Sequence, residues 1–251
     1  MSKETDRNSN DYLKYAMRSQ YVAVAALALA VLGASTPSQA QVGGIICDGR
    51  WHTVRSVDVT RQVGDFNSLN AVVALSSTDV WAVGQLERFA GTDYNHALVE
   101  HWDGTSWMVI PTPHPSMAIS ILFGVAALSS NDVWAVGYEE DLISGYRTLI
   151  EHWDGSAWTI VQDGTREGWL TSVTAIAPDD VWVVGSTNYV GQGLIEHWDG
   201  TAWTPVAPAS TVGVLLGLAS IGSNMELWST GYRTKQNRYT GTLVQHLCTG
   251  Q

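Results

Sequence analysis

Four histidines recur along the chain, His101, His152, His197 and His246, each preceded by an acid or its amide: Glu100, Glu151, Glu196 and Gln245. Imidazoles and carboxylates in this number are what a zinc site or general acid–base chemistry would draw on. Further acids stand together as Glu139, Glu140 and Asp141, with Glu167 downstream, and Cys47 and Cys248 are the only thiols. The sequence has no Ser-His-Asp signature, no Gly-rich phosphate loop and no Cys/His cluster at ligand spacing. What the recurring residues can do therefore depends on where the chain puts them.

They belong to an internal repeat. The string EHWDG occurs at residues 100–104, 151–155 and 196–200, with a weakened fourth copy at 245–248. VWxVG occurs at 80–84, 133–137 and 181–185, and LWSTG at 227–231 is its fourth copy. A third tryptophan follows each WDG, at Trp107, Trp158 and Trp203, and Trp51 is its counterpart near the front. Of the 12 tryptophans only Trp169 stands outside this register. Each unit reads as four short strands, a to d, with Asp-Gly supplying the c–d hairpin turn. Strand b is apolar on both faces, as a sheet packed between two others requires. A four-stranded unit at a period of 45 to 53 residues is a propeller blade.

The expected fold is thus all-β, a four-bladed β-propeller of four-stranded antiparallel blades. The repeats span about 69–111, 121–162, 170–206 and 214–248, the last completed by 45–56. The last unit lacks strand d, and residues 50–54 read as a strand d without its a, b and c. Pairing the N-terminal strand with the last blade closes the ring within one chain, predicting a monomer; two chains joined in a larger ring are the alternative. Cys47 and Cys248 both map to the hairpin turn cut by this closure, which predicts a disulfide between them. Strand c lies third from the axis, at ~4.8 Å per strand, so the four histidines start ~10 Å out and cannot meet at one zinc. No metal site and no cofactor is expected. The recurrent His, Glu and Asp residues are read as packing and hydrogen-bonding groups, and the tryptophans in register as core.

The pattern resembles the kelch repeat of galactose-oxidase-type propellers, across nearly all of residues 45–248. An apolar strand pair ending in Gly, an aromatic-Asp turn, a following Trp and then Pro match Val80 to Gly84, Trp102 to Gly104, Trp107 and Pro111. Kelch units carry a second Gly where this chain has Gln85, Tyr138, Ser186 and Tyr232, and a Tyr where it has Trp before Asp. The D-G-x-x-W turn is also similar to the Asp-box of sialidase-like propellers. Either resemblance implies a propeller. Galactose-oxidase chemistry would need a cysteine crosslinked to a tyrosine, and a sialidase site three converging arginines with a Tyr-Glu pair; no local motif identifies either.

Function is expected where the repeats differ. Alternating strand directions put the short a–b and c–d turns on one rim and the long, dissimilar b–c and d–a loops on the other. The variable rim offers Arg88, Tyr94, Tyr138, Tyr146, Arg147, Arg166, Trp169, Tyr189, Tyr232 and Tyr239 as candidate binding residues, types favoured at recognition surfaces. Residues 1–40 read as a signal peptide, with an apolar run at 21–32 and small residues Ser38 and Ala40 before a cleavage point. An uncleaved anchor is the rival reading. Removing them takes four basic and three acidic residues, so the net charge of −11 becomes −12. That charge argues against nucleic acid and anionic membrane as partners. The leading expectation is a secreted, non-catalytic module, residues 41–251, that binds extracellular protein or glycan. A carbohydrate-active enzyme and a structural cell-surface spacer are the alternatives.

Overall fold

The computed structural model describes residues 49–60, 65–87, 95–113, 119–141, 145–162, 167–187, 191–210, 213–222, 226–235 and 238–248. Among them each repeat is one antiparallel sheet. The first contains β1 (Phe66–Ser76), β2 (Asp79–Glu87), β3 (His96–Trp102) and β4 (Trp107–Val109). The second contains β5 (Ile119–Ser129), β6 (Asp132–Asp141), β7 (Gly145–Trp153) and β8 (Trp158–Gln162). The third contains β9 (Trp169–Ala177), β10 (Asp180–Thr187), β11 (Gln192–Trp198) and β12 (Trp203–Pro205). The fourth contains β13 (Val214–Ile221), β14 (Glu226–Lys235) and β15 (Arg238–Cys248). Strand order within each sheet follows the chain. The first strands pack successively, β1 on β5, β5 on β9 and β9 on β13, so they are innermost. This is the architecture of a four-bladed β-propeller. No helix among the described residues is long and apolar enough to cross a membrane.

The repeated residues explain themselves locally. Each innermost strand carries a bulge, at Asn70, Phe123, Thr171 and Leu216, opposite the glycine that ends the VWxVG string. A Cβ at Gly84, Gly137, Gly185 or Gly231 would collide with the carbonyl oxygen of Ser68, Ile121, Trp169 or Val214. Two bulged residues tie neighbouring sheets: Asn70 Nδ2 donates to Leu122 O at 2.8 Å and Thr171 Oγ1 to Leu215 O at 2.8 Å. In the c–d turns Gly104, Gly155 and Gly200 hold φ of 95°, 92° and 89°, a region open to glycine. The preceding aspartate closes the turn. Asp103 Oδ1 accepts from Thr105 N at 2.8 Å, Thr105 Oγ1 at 2.7 Å and Ser106 N at 2.9 Å, and Asp154 and Asp199 repeat the arrangement.

Tryptophans join the sheets. Trp81 lies against Trp153 and Trp158 of the second sheet, at ring separations of 5.3 and 5.7 Å. Trp134 repeats this with Trp198 and Trp203 at 5.8 and 5.6 Å. Each indole also sits over its sheet's histidine, 4.3 Å for Trp81–His101 and 4.2 Å for Trp134–His152. The histidines in turn reach acids of their own sheets: His101 to Asp79 at 2.8 Å, His152 to Asp132 at 2.8 Å and His197 to Asp180 at 2.9 Å. Trp134 and Trp182 donate their indole N–H to Asp132 and Asp180. The recurrent histidines thus clamp strand b to strand c. Each of these three has an aspartate of its own, whereas His246 stands 3.9 Å from Glu226.

The fourth sheet departs from expectation. It has three strands, and residues 50–54 form none. Trp51 is fully exposed. Among the described residues no packing like that between consecutive sheets joins the fourth to the first. The end faces are correspondingly bare: Trp228 is 41% exposed against 2% for Trp81, and Leu69 39% against 0% for Leu122. The physical reason lies in the edge of β15. It meets no outer strand, and the chain segment that would supply one is held downstream on the first sheet, where Val57 N approaches Glu100 Oε2 at 3.5 Å. Cys248 ends β15 with an exposed free thiol, and Cys47 lies outside the described residues.

Candidate binding rim

Strand registers fix the two rims. Ser76 pairs with Asp79 and Trp102 with Trp107, so the a–b and c–d turns share one end of the sheet. Phe66 pairs with Glu87 and Leu86 with His96, placing the start of strand a and the b–c loop at the other. In the second sheet that end holds a hairpin in which Glu139 faces Arg147, Glu140 faces Tyr146 and Asp141 faces Gly145. The third sheet joins it there. Gly168 N donates to Tyr146 O at 3.1 Å, and Arg147 forms a backbone bridge with Glu167. Trp169, the next residue, opens β9.

Three of the expected binding residues therefore converge: Tyr146, Arg147 and Trp169 are all partly exposed at the junction of the second and third sheets. Tyr138 supports Tyr146 from beneath. It is only 3% exposed, and its ring meets Tyr146 edge-on at 5.1 Å and Phe123 at 5.8 Å. Tyr232 and Tyr239 belong to the fourth sheet, Tyr232 opposite Val214 and Tyr239 opposite Thr234. Arg88, Tyr94, Arg166 and Tyr189 lie outside the described residues.

Phe123 and Glu140 also contribute to this end of the second sheet. Phe123 occupies the bulge position that holds Asn70, Thr171 and Leu216 in the other units, and that lone aromatic was the available signal. Glu140 stands in the sequence only as one of a run of acids. Burial pushes its carboxyl above the usual range, while the Tyr146 hydroxyl donates to it and opposes that rise. The cluster thus presents an aromatic wall, one guanidinium and carboxylates. Such groups can stack on an apolar sugar face or aromatic side chain and hydrogen-bond polar groups around it. Among the described residues no three His, Cys, Asp or Glu side chains gather as a metal site.

No protein-family model matches this chain, and no curated protein matches it.

Proposed function

We propose that residues 41–251 are a secreted, kelch-like propeller that binds an extracellular protein or glycan without catalysis, after residues 1–40 direct export and are removed. The observation that carries this reading is the meeting of Tyr146, Arg147 and Trp169 at one junction of the variable rim. None is a scaffold residue by repetition. Asn95, Gly191 and Thr240 stand at the Tyr146 position of the other sheets, His96, Gln192 and Gly241 at that of Arg147, and Ser68, Ile121 and Val214 at that of Trp169. A side chain present in one sheet only answers to something other than the common packing. Probing glycan and cell-surface-protein arrays with residues 41–251 tests the proposal. Binding should be lost in Tyr146→Ala and Trp169→Ala and kept in Tyr239→Ala; retention of full binding by the first two would remove this surface from consideration.

One observation favours a second reading, a glycoside-cleaving enzyme. The raised Glu140 carboxyl beside Tyr146 is the kind of group a general acid requires. Turnover of fluorogenic glycosides that disappears in Glu140→Gln would establish it.

A further inference from the structure

A cavity of about 150 Å³ lies between the third and fourth sheets. Trp182, Val184 and Ile195 line it from the third, and Leu227, Ser229, Gln245 and Leu247 from the fourth. Trp182 offers it ring surface only, because its N–H is taken by Asp180 at 2.7 Å and its ring stacks on His197 at 4.1 Å. The equivalent interfaces are filled by indoles. Trp81 meets Trp153 and Trp158 of the next sheet, and Trp134 meets Trp198 and Trp203. Here Leu247 stands at the place of Trp153 and Trp198, and a space of this volume admits a benzene-sized ring.

Two further departures from the repeat line the same space. Ser229 occupies the place of Ala82, Ala135 and Val183, and Gln245 that of Glu100, Glu151 and Glu196. The two are cross-strand partners, so they form one polar corner in an apolar wall. Gln245 is 8% exposed, and Ala209 N donates to its Oε1 at 2.9 Å. That bond fixes which way the amide faces. Nε2 is the remaining donor, and it is buried with no partner among the described residues. A buried donor with its hydrogen bond unmade is costly, so an acceptor brought into the cavity recovers what the fold leaves out. Exchange of the acid for a neutral amide also removes an ionisable group, and the corner therefore suits an uncharged oxygen.

We propose that this cavity binds a small uncharged aromatic molecule of the phenol class, its ring against Trp182, Ile195, Leu227 and Leu247 and its oxygen accepting from Gln245 Nε2. The ring follows from the neighbours, since the same seat between the other sheets holds aromatic carbon. The oxygen follows from the corner, since a bare hydrocarbon would leave the amide N–H unmade. Leu247 makes the room, and Ser229 and Gln245 make one side of it polar without charge. All three differ from what the other sheets carry at those places. The site is separate from the rim, where Tyr146, Arg147 and Trp169 stand at the junction of the second and third sheets.

Calorimetric titration of the full chain with phenol and with toluene tests this. Phenol should bind once per chain and at least fivefold more tightly than toluene, the reverse of the order a purely apolar cavity gives. Leu247→Trp, which restores the indole of the other sheets, should abolish both. Gln245→Leu should keep toluene and weaken phenol at least tenfold; the wild-type preference and Leu247→Trp decide the matter even where Gln245→Leu unfolds. Trp169→Ala should change neither ligand, which keeps the test independent of the rim. Absence of phenol binding to the wild type, tighter binding of toluene, or phenol binding that survives in Leu247→Trp would overturn the proposal. So would binding lost in Trp169→Ala, which marks the rim as the site, or binding seen only in Trp51→Ala, which shows the chain's own indole in the space.

Discussion

Glu151 shows how a single side chain can carry a conserved place in the repeat and still be poorly served by it. Two of its equivalents find donors: Glu100 has Ser56 and Val57, and Gln245 has Ala209 N. The residue at the corresponding point before the second sheet is Pro113, which has no N–H to give. Both carboxylate oxygens of Glu151 are buried without a hydrogen-bond partner among the described residues, and burial pushes the group up to about 8. The folded state therefore holds this proton more tightly than the unfolded one. Its stability is full below the ordinary carboxyl range near 4.5 and is lost as pH climbs towards 8, by roughly a few kcal/mol. Glu151→Gln, the residue the fourth sheet uses naturally, should raise the melting temperature more at pH 8.5 than at pH 5. Equal shifts at both pH values would mean that the acid does not titrate there. The sequence showed the Glu but not its fate, because a missing backbone donor is visible only once strand c and the linker are laid side by side. Tyr138, expected on the binding rim, is buried for a similar reason. Its place after strand b suggested a loop contact, and the second sheet's longer hairpin carried it under Tyr146.

At the level of the elements, the strands were legible because their turns are chemically explicit. Asp-Gly fixed the c–d hairpins, and Val-Trp at a constant distance fixed strand b. The innermost bulges were not legible, since a bulge changes pairing without changing composition. They nonetheless account for the glycine in each VWxVG string. Gly137→Ala should destabilise by ~2–4 kcal/mol, because the added methyl meets the Ile121 carbonyl and backbone cannot yield cheaply; a chemical-denaturation midpoint unchanged from wild type would show that the strand can shift. The turn aspartates make an opposite pH prediction from Glu151. Hydrogen bonds from Ser156 and the backbone N–H groups of Ser156 and Ala157 hold Asp154 down at about 2. Its contribution is complete above the usual value of 3.8 and fades as pH falls towards 2. Asp154→Ala should therefore flatten the acid limb of a stability–pH profile, and an unchanged limb would assign acid unfolding to other carboxyls.

For the molecule as a whole, the repeat count foretold four sheets, and the expected pairing of residues 50–54 with the last sheet is not formed. Sequence register placed Trp51 with Trp107, Trp158 and Trp203. The hydrogen bonds of Val57 and Ala209 agree with that register, although residues 50–54 do not pair. A Cys47–Cys248 disulfide would bind the ends in the closed form and contribute roughly 5 kcal/mol by restricting the unfolded chain. Non-reducing peptide mapping of exported protein should recover the two terminal peptides linked within one chain, and free thiols at both positions would count against it. The central claim is a division of labour, in which residues repeated in every sheet hold the scaffold and those found once serve the rim. Thermal unfolding measured beside binding to the ligand returned by the arrays tests it most directly, on Trp134→Ala and Trp169→Ala. Trp134 is 2% exposed and meets Trp198 and Trp203, so its removal should lower the melting temperature by several degrees. Trp169→Ala should melt close to wild type and bind at least tenfold more weakly. Loss of stability in Trp169→Ala equal to that in Trp134→Ala, with affinity unchanged in the folded fraction, would contradict the division.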